Sequence, residues 1–265
     1  MKYIILLLLL GVEIFASLIK TPIISLDIKS ETATVKLQNI DVGISGFIVH
    51  KITPEHTSIL KSVTVISFDK ETNLAKLKIS DFNGLKNNSL PSGKWEVEVG
   101  DEVELTFAYS RALLIAPSEE IYHRITKSIR VEWVHSDIFT TLLSYRGHPT
   151  PLKSDFEAMS DVSSIGLLFI YLDKRVYTVD IKSFKILSIS DAPLVQDSVQ
   201  LPFYSRIEEI EANWFGAGHN ELEDYEMHYY ELLSEQNKKN KKFYEIIKNG
   251  DEKLHFILKN FEIGK

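Results

Sequence analysis

The chain reads as an α+β protein with a β-rich, barrel-like N-terminal half, an α+β middle and a helical C-terminal tail. Three observations predict this. Between Thr21 and Pro117, short apolar–polar alternations are separated by turn residues. Between Ser118 and Asp191, helix-capping signals are interleaved with paired strand-like runs. From Asn220 onward, apolar residues recur at helical spacing.

In the first part, Ile23, Leu26 and Ile28 precede a polar turn at Lys29–Thr32, and Thr34–Leu37 alternates with Val35 and Leu37 on one face. Gly43 and Gly46 bracket Ile44 and Ser45 before Phe47–Ile52, a spacing that suggests a bulge or a close backbone approach. Val63–Phe68 and Leu74–Ile79 flank Asp69–Asn73 as a hairpin-like pair. After turns at Leu90–Gly93 and Gly100–Asp101, Val103, Leu105 and Phe107 alternate again. Many short strands with regular turns predict a small barrel or a strongly bent sheet.

In the middle part, Glu119–Lys127 reads as a short helix and Ile129–Val134 as a strand. Ser136 or Asp137 is placed to cap a helix running to Tyr145, which Gly147, Pro149 and Pro151 terminate. Ser154-x-x-Glu157 has the form of a capping box, predicting a second helix from Asp155. Leu167–Leu172 and Val176–Ile181 form a hairpin across Asp173–Arg175, and Phe184–Ile189 adds a strand. A connection, Pro193–Gly218, carries a short helical segment around Ile207–Trp214. Beyond it, Leu222, Tyr225, Tyr229 and Leu233 share a helical face that Phe243, Ile246 and Ile247 continue. Asn249–Asp251 stops that helix and caps another from Glu252 to about Phe261.

The first residues read as a leader. Lys2, an apolar run from Tyr3 to Val12 and a small-residue exit at Ala16–Ser17 have the layout of a secretory signal peptide, with Ala16 the last residue removed. The apolar run is far shorter than the roughly twenty residues of a membrane-spanning helix, and no later stretch approaches that length. The expected organisation is a signal at 1–16, a β-rich part at 17–117, an α+β part at 118–215 and a lysine-rich helical tail at 216–265.

A hydrophobic fraction of 44%, with 14 Phe, 11 Tyr and 3 Trp, is enough for a substantial core. There is no cysteine, so an exported chain would be held by packing without disulfides, and thiolate metal sites, a cysteine nucleophile and a lipid-modified cysteine are all excluded. A net charge of −7 argues against nucleic acid and against adhesion to anionic lipid, both of which need clustered positive charge.

Candidate chemistry is sparse. His123, His135 and Asp137 are metal-ligand types, but no His-Glu-x-x-His spacing sets two histidines on one helical face. Gly43-Ile44-Ser45-Gly46 lacks the second spacer of a nucleophile elbow, so Ser45 reads as part of a tight turn. No phosphate-cradling loop is present, and no cofactor or metal is implied. The tail is more distinctive. Glu221, Glu223, Asp224, Glu226 and Glu231 come first, and Lys238, Lys239, Lys241 and Lys242 follow. Acid early and base late complements a helix dipole; the other reading is a lysine cluster presented to a partner with anionic pockets. Lys265 adds an ammonium beside a carboxyl terminus, a combination that an aromatic trough with paired charges captures.

Several phrases together resemble one known family. They are Asp41-Val-Gly-Ile-Ser-Gly-Phe-Ile-Val-His50, Gly100-Asp-Glu-Val-Glu-Leu105, Tyr109-Ser-Arg-Ala-Leu-Leu-Ile-Ala-Pro117, Trp133-Val-His-Ser-Asp-Ile-Phe139, Gly147-His-Pro-Thr-Pro151 and Val179-Asp-Ile-Lys-Ser-Phe184. Over roughly Thr21 to Phe215 the chain is similar to the N-terminal domain of the plasminogen-binding protein family of Helicobacter- and Campylobacter-type bacteria. The resemblance implies an exported, surface-associated, non-enzymatic protein that binds host plasminogen through lysine, with a terminal lysine implicated. Lys265 matches that feature by position, and Lys259 and the Lys238, Lys239, Lys241 and Lys242 cluster are secondary candidates. The alternative expectation is a periplasmic scaffold that binds a cell-envelope protein.

Overall fold

A computed structural model describes residues 18–82, 95–195 and 198–263. The leader at 1–16 and Lys265 lie outside the described residues, as does the turn expected at Leu90–Gly93.

Six strands close into a barrel in the order β1-β2-β5-β4-β3-β6. They are β1 (Ile19–Asp27), β2 (Thr32–Lys36), β3 (Ser45–Lys51), β4 (Thr57–Asp69), β5 (Leu74–Asp81) and β6 (Glu102–Leu105). All pairings are antiparallel, and β1 meets β6 to complete the circuit. The alternation read from sequence is the barrel's inside–outside pattern. Val35 sits opposite both Ile23 and Ala75, Leu77 opposite Ala33 and Val65, and all six are buried. Gly46 marks a close approach: a Cβ there would lie 2.1 Å from the Glu104 carbonyl oxygen of the neighbouring strand.

Residues 106–110 then lead into a second sheet of order β11-β10-β9-β7-β8, built from β7 (Arg111–Ile115), β8 (Glu132–Val134), β9 (Leu167–Leu172), β10 (Arg175–Asp180) and β11 (Ile186–Asp191). Strand β7 runs parallel to both β8 and β9, so two helical crossovers are required. Helix α1 (Glu119–Ser128) joins β7 to β8; α2 (Ser136–Arg146) and α3 (Lys153–Ser163) join β8 to β9. The two crossovers cover opposite faces. Ala112, Leu114, Phe169 and Tyr171 share a core with α1 and the barrel interior, whereas Leu113, Ile115, Leu168 and Ile170 face α2 and α3. Burial on both faces is why Leu167–Leu172 is continuously apolar rather than alternating.

Helices α4 (Tyr225–Gln236) and α5 (Lys241–Lys248) and a 3₁₀ helix, Glu252–Asn260, lie over that second face. Tyr225, Tyr229, Tyr230, Leu233, Phe243, Ile247 and Ile257 are part of its core.

Some local expectations are corrected. The helix from Leu222 to Lys248 is broken at Asn237–Asn240, because the Asn237 side chain turns inward to accept from the Ile186 amide (2.9 Å) and donate to the Phe184 carbonyl (2.9 Å). Ile207–Trp214 is not helical. Its backbone instead serves the C-terminal end of α2, with the Asn213 amide donating to Gly147 O (3.1 Å) and its side chain to Arg146 O (2.7 Å). Helix α3 begins before the Ser154 capping box: buried Asp155 accepts from the Leu152 amide (2.7 Å) and pairs with Arg146 (2.5 Å) and His148 (2.9 Å). Helix α2 is capped by His135, whose Nδ1 accepts from the Asp137 amide at 3.1 Å. Gly147 terminates α2 in the left-handed conformation (φ 69°) as expected.

Barrel and sheet are joined at one fully buried carboxylate. Asp180, at the end of β10, accepts from the Ser45 amide (2.9 Å), the Ser45 hydroxyl (2.7 Å), the Tyr109 hydroxyl (2.6 Å), the Lys182 amide (3.1 Å) and the Ser183 amide (2.7 Å). Burial and the facing carboxylate push the Tyr109 phenol well above its ordinary value, which keeps it a donor. Replacing Asp180 by Ala strands these donors, and Asp180→Asn turns a donating amide toward them. We expect a loss of about 3–5 kcal/mol for Asp180→Ala, with Tyr109→Phe costing about 1–2 kcal/mol, measured by urea unfolding followed by tryptophan fluorescence.

Candidate functional site

The lysines singled out in the sequence are placed by the α4–α5 turn. Asp224 starts α4 by accepting from the Met227 amide at 2.9 Å, and Asn240 starts α5 by accepting from the Phe243 amide at 3.0 Å. Between them Asn237 is buried, so the chain must turn sharply outward, which leaves Lys238 and Lys239 exposed. Phe243 and Ile247 take the inner face of α5, and Lys241 and Lys242 fall on its outer face.

The dipole reading of this charge pattern is corrected in part. Asp224 and Glu226 do sit at the N-terminal end of α4. Lys241 and Lys242, however, open α5, where the helix end carries partial positive charge. Lys238, Lys239 and Lys241 form no ion pair among the described residues. Lys185 reaches in from the β10–β11 connection to the Gln236 carbonyl at the end of α4. Burial, and then the charges of Lys238 and Lys239, hold its ammonium below the ordinary lysine value. The turn is therefore a cationic cluster with no carboxylate paired to Lys238, Lys239 or Lys241 among the described residues, on a chain of net charge −7.

The remaining candidates are placed differently. Lys242 donates to Ile189 O on β11 at 3.0 Å. Exposed Lys259, on the 3₁₀ helix, has its ammonium 5.9 Å from the Phe256 ring centre. The Glu262 amide donates to Lys238 O at 2.8 Å, so the last described residues return to the lysine turn.

The other sequence candidates have structural occupations. Ser45 is bound to Asp180 through both its amide and its hydroxyl. Asp137 accepts from the Ser205 hydroxyl (3.1 Å), the Arg206 amide (2.9 Å) and the Arg206 guanidinium (2.6 Å). Burial opposes its ionised form, but these donors prevail and its carboxyl lies below the ordinary value. His123 pairs with Glu119 at 3.4 Å on its own helix. Among the described residues no three His, Cys, Asp or Glu side chains are grouped to hold a metal ion, and no helix is long and apolar enough to cross a membrane.

The crevice beyond the carboxyl ends of β7 and β9, where open parallel sheets bind ligands, is filled by the chain itself. The Tyr204 and Gln200 amides donate to Ala116 O and Pro117 O, each at 2.7 Å. The Tyr225 hydroxyl lies 3.2 Å from Ile115 O and 3.0 Å from Tyr171 O.

A model of the family described as plasminogen-binding protein pgbA N-terminal matches residues 18–233. The chain belongs to this family. Membership bears out the resemblance carried by the sequence phrases. The plasminogen-binding protein PgbA of Helicobacter pylori strain J99 and that of strain 26695 are each 25% identical to this chain over 219 residues, which are 80% of this chain and 47% of theirs. The chain thus spans about half the length of these curated relatives. No solved structure matches. The family match ends before Lys238, so the lysine turn lies outside it.

Two measurements check this description. Lys241→Glu should raise stability by about 0.3–1 kcal/mol, because it reverses an unfavourable charge at the start of α5; urea midpoints of the two proteins decide it. The second concerns pH. Burial holds His228, which lies 2.9 Å from Pro151 O, and His135 below the ordinary histidine value. Such groups bind fewer protons folded than unfolded, so stability falls as pH drops through the unfolded value of about 6.5. Thermal melts should show a lower Tm at about pH 5 than at about pH 7, with a smaller difference in His228→Gln.

Proposed function

We propose that this chain is an exported, non-enzymatic binding protein that holds host plasminogen through exposed lysines. The relatives are named as plasminogen-binding proteins, which supports the partner class. The observation that carries the reading is the lysine turn: Lys238, Lys239 and Lys241 are exposed, without an ion pair among the described residues, and set partly against a helix dipole. The buried Asn237 explains why these positions are exposed; the dipole of α5 gives no reason for lysine at 241, whereas a partner with anionic, aromatic pockets would. Lys265 and Lys259 would add further ammonium groups, and bound plasminogen would supply any protease activity itself. Export would begin with removal of residues 1–16.

A second reading is a cell-envelope scaffold whose body docks a periplasmic protein. It is favoured by the family match, which covers the body and ends before the lysine turn.

Binding of the purified chain to immobilised plasminogen, with a free lysine analogue as competitor, separates the two. We expect the analogue to abolish binding and a Lys238→Ala, Lys239→Ala, Lys241→Ala triple variant to weaken it about tenfold, or roughly 1.4 kcal/mol. A loss on deleting Lys265 alone would move the main contact to the chain end. Absent binding, or binding indifferent to the analogue, would overturn the lysine reading in favour of the scaffold.

A further inference from the structure

A cleft of about 400 Å³ lies where the barrel wall meets the α3–β9 turn. Its volume falls in the range of small-molecule sites, roughly 300–1,000 Å³. The floor is the outer face of three barrel strands, and its residues there are small and hydroxylic. Ser62 lies opposite Ser80, and Thr64 opposite Ser45. Beside this low floor stands an aromatic rim, in which the Phe47 ring meets Phe82 (5.3 Å) and Phe107 (5.2 Å) edge-to-face. The far wall is α3, the following turn and Lys182.

The charges in and around this cleft are already matched. Lys182 pairs with Asp161, Lys153 with Glu157, and Lys61 with Asp81 at 2.5 Å. Among the described residues no uncompensated charge is left there to select an ion. The hydroxyls of Ser62, Thr64, Ser80 and Ser164, by contrast, make no side-chain hydrogen bond among the described residues, and each offers a donor and acceptor lone pairs. Backbone strain gathers at the same place. Ala108 and Ser164, both lining the cleft, have positive φ (60° and 50°), a conformation that non-glycine residues keep where the surrounding structure enforces it, often at ligand clamps.

We propose that this cleft binds a short neutral saccharide. The ring hydroxyls of a sugar would exchange hydrogen bonds with the floor, its C–H surface would lie against the phenylalanine rim, and the matched charges would leave it neither attracted nor repelled as an ion. The site is separate from the lysine turn and does not depend on the plasminogen reading.

The test is titration of the purified chain with maltose, cellobiose and N,N′-diacetylchitobiose, followed by calorimetry and by NMR shifts. We expect saturable binding of at least one disaccharide with a Kd of about 1 mM or tighter, and a loss of about tenfold or more in Ser62→Leu and Ser80→Leu, which fill the floor from the barrel exterior. Both variants should keep the unfolding midpoint and the plasminogen affinity of the parent. Should either fail to fold, shifts in the parent decide the matter: the proposal requires them at Phe47, Phe82, Phe107 and the floor serines. No saturable binding of any of the three sugars, shifts elsewhere, or binding of a Ser/Ala peptide in their place would overturn it.

Discussion

The meeting of the two halves of this chain turns on the Asp180 carboxylate, set beside the apolar core that barrel and sheet share. It is fully buried, no lysine or arginine pairs with it among the described residues, and its stabilisation comes from fixed N–H and O–H dipoles. Two of those donors belong to Ser45 at the first residue of β3, one to Tyr109 between barrel and sheet, and two to the turn after β10. A small displacement of any of the three segments would leave a buried polar group unmatched, so the carboxylate fixes their relative position more tightly than apolar contact alone would. The Ser183 hydroxyl, donating to Gly43 O at 2.5 Å, repeats the link one step away.

That junction governs what the molecule can present. It sets the barrel's outer wall against α3 and so creates the cleft there. The conventional binding crevice at the ends of the parallel strands is meanwhile closed by Tyr225 and residues 200–204. The lysine turn sits on the opposite side of the same logic. Asn237 buries its amide in the β10–β11 connection, and the neighbouring lysines are driven outward as a result.

Much of the fold was legible in the sequence because it rests on local periodicity. The barrel strands alternate, Leu167–Leu172 is apolar on both faces, and Tyr225, Tyr229 and Leu233 repeat at helical spacing. What was not legible depends on partners distant in sequence. Asn237 looks like any helix-compatible polar residue until β11 is placed beside it, so the break between α4 and α5 is not legible in the sequence. Ser154 and Glu157 fit a capping box, but buried Asp155, held by Arg146 and His148, decides where α3 starts. Ile207–Trp214 has a helical look, yet its amides are worth more capping α2. The lysines are legible from the order of charges along the tail and from the family resemblance, whereas their conflict with the α5 dipole needs the helix boundary. The cleft left no trace in the sequence, since its floor, rim and far wall come from separate stretches of the chain.

A closed barrel has no free strand edge, so these six strands offer no template for another chain to extend. The second sheet does have edges, and on β11 a backbone carbonyl is already taken by the Lys242 ammonium. Lys242 thus works as a gatekeeper against intermolecular strand pairing as well as a member of the cationic turn. At high local concentration that second duty comes first, as resistance to self-association, whatever the lysines go on to bind.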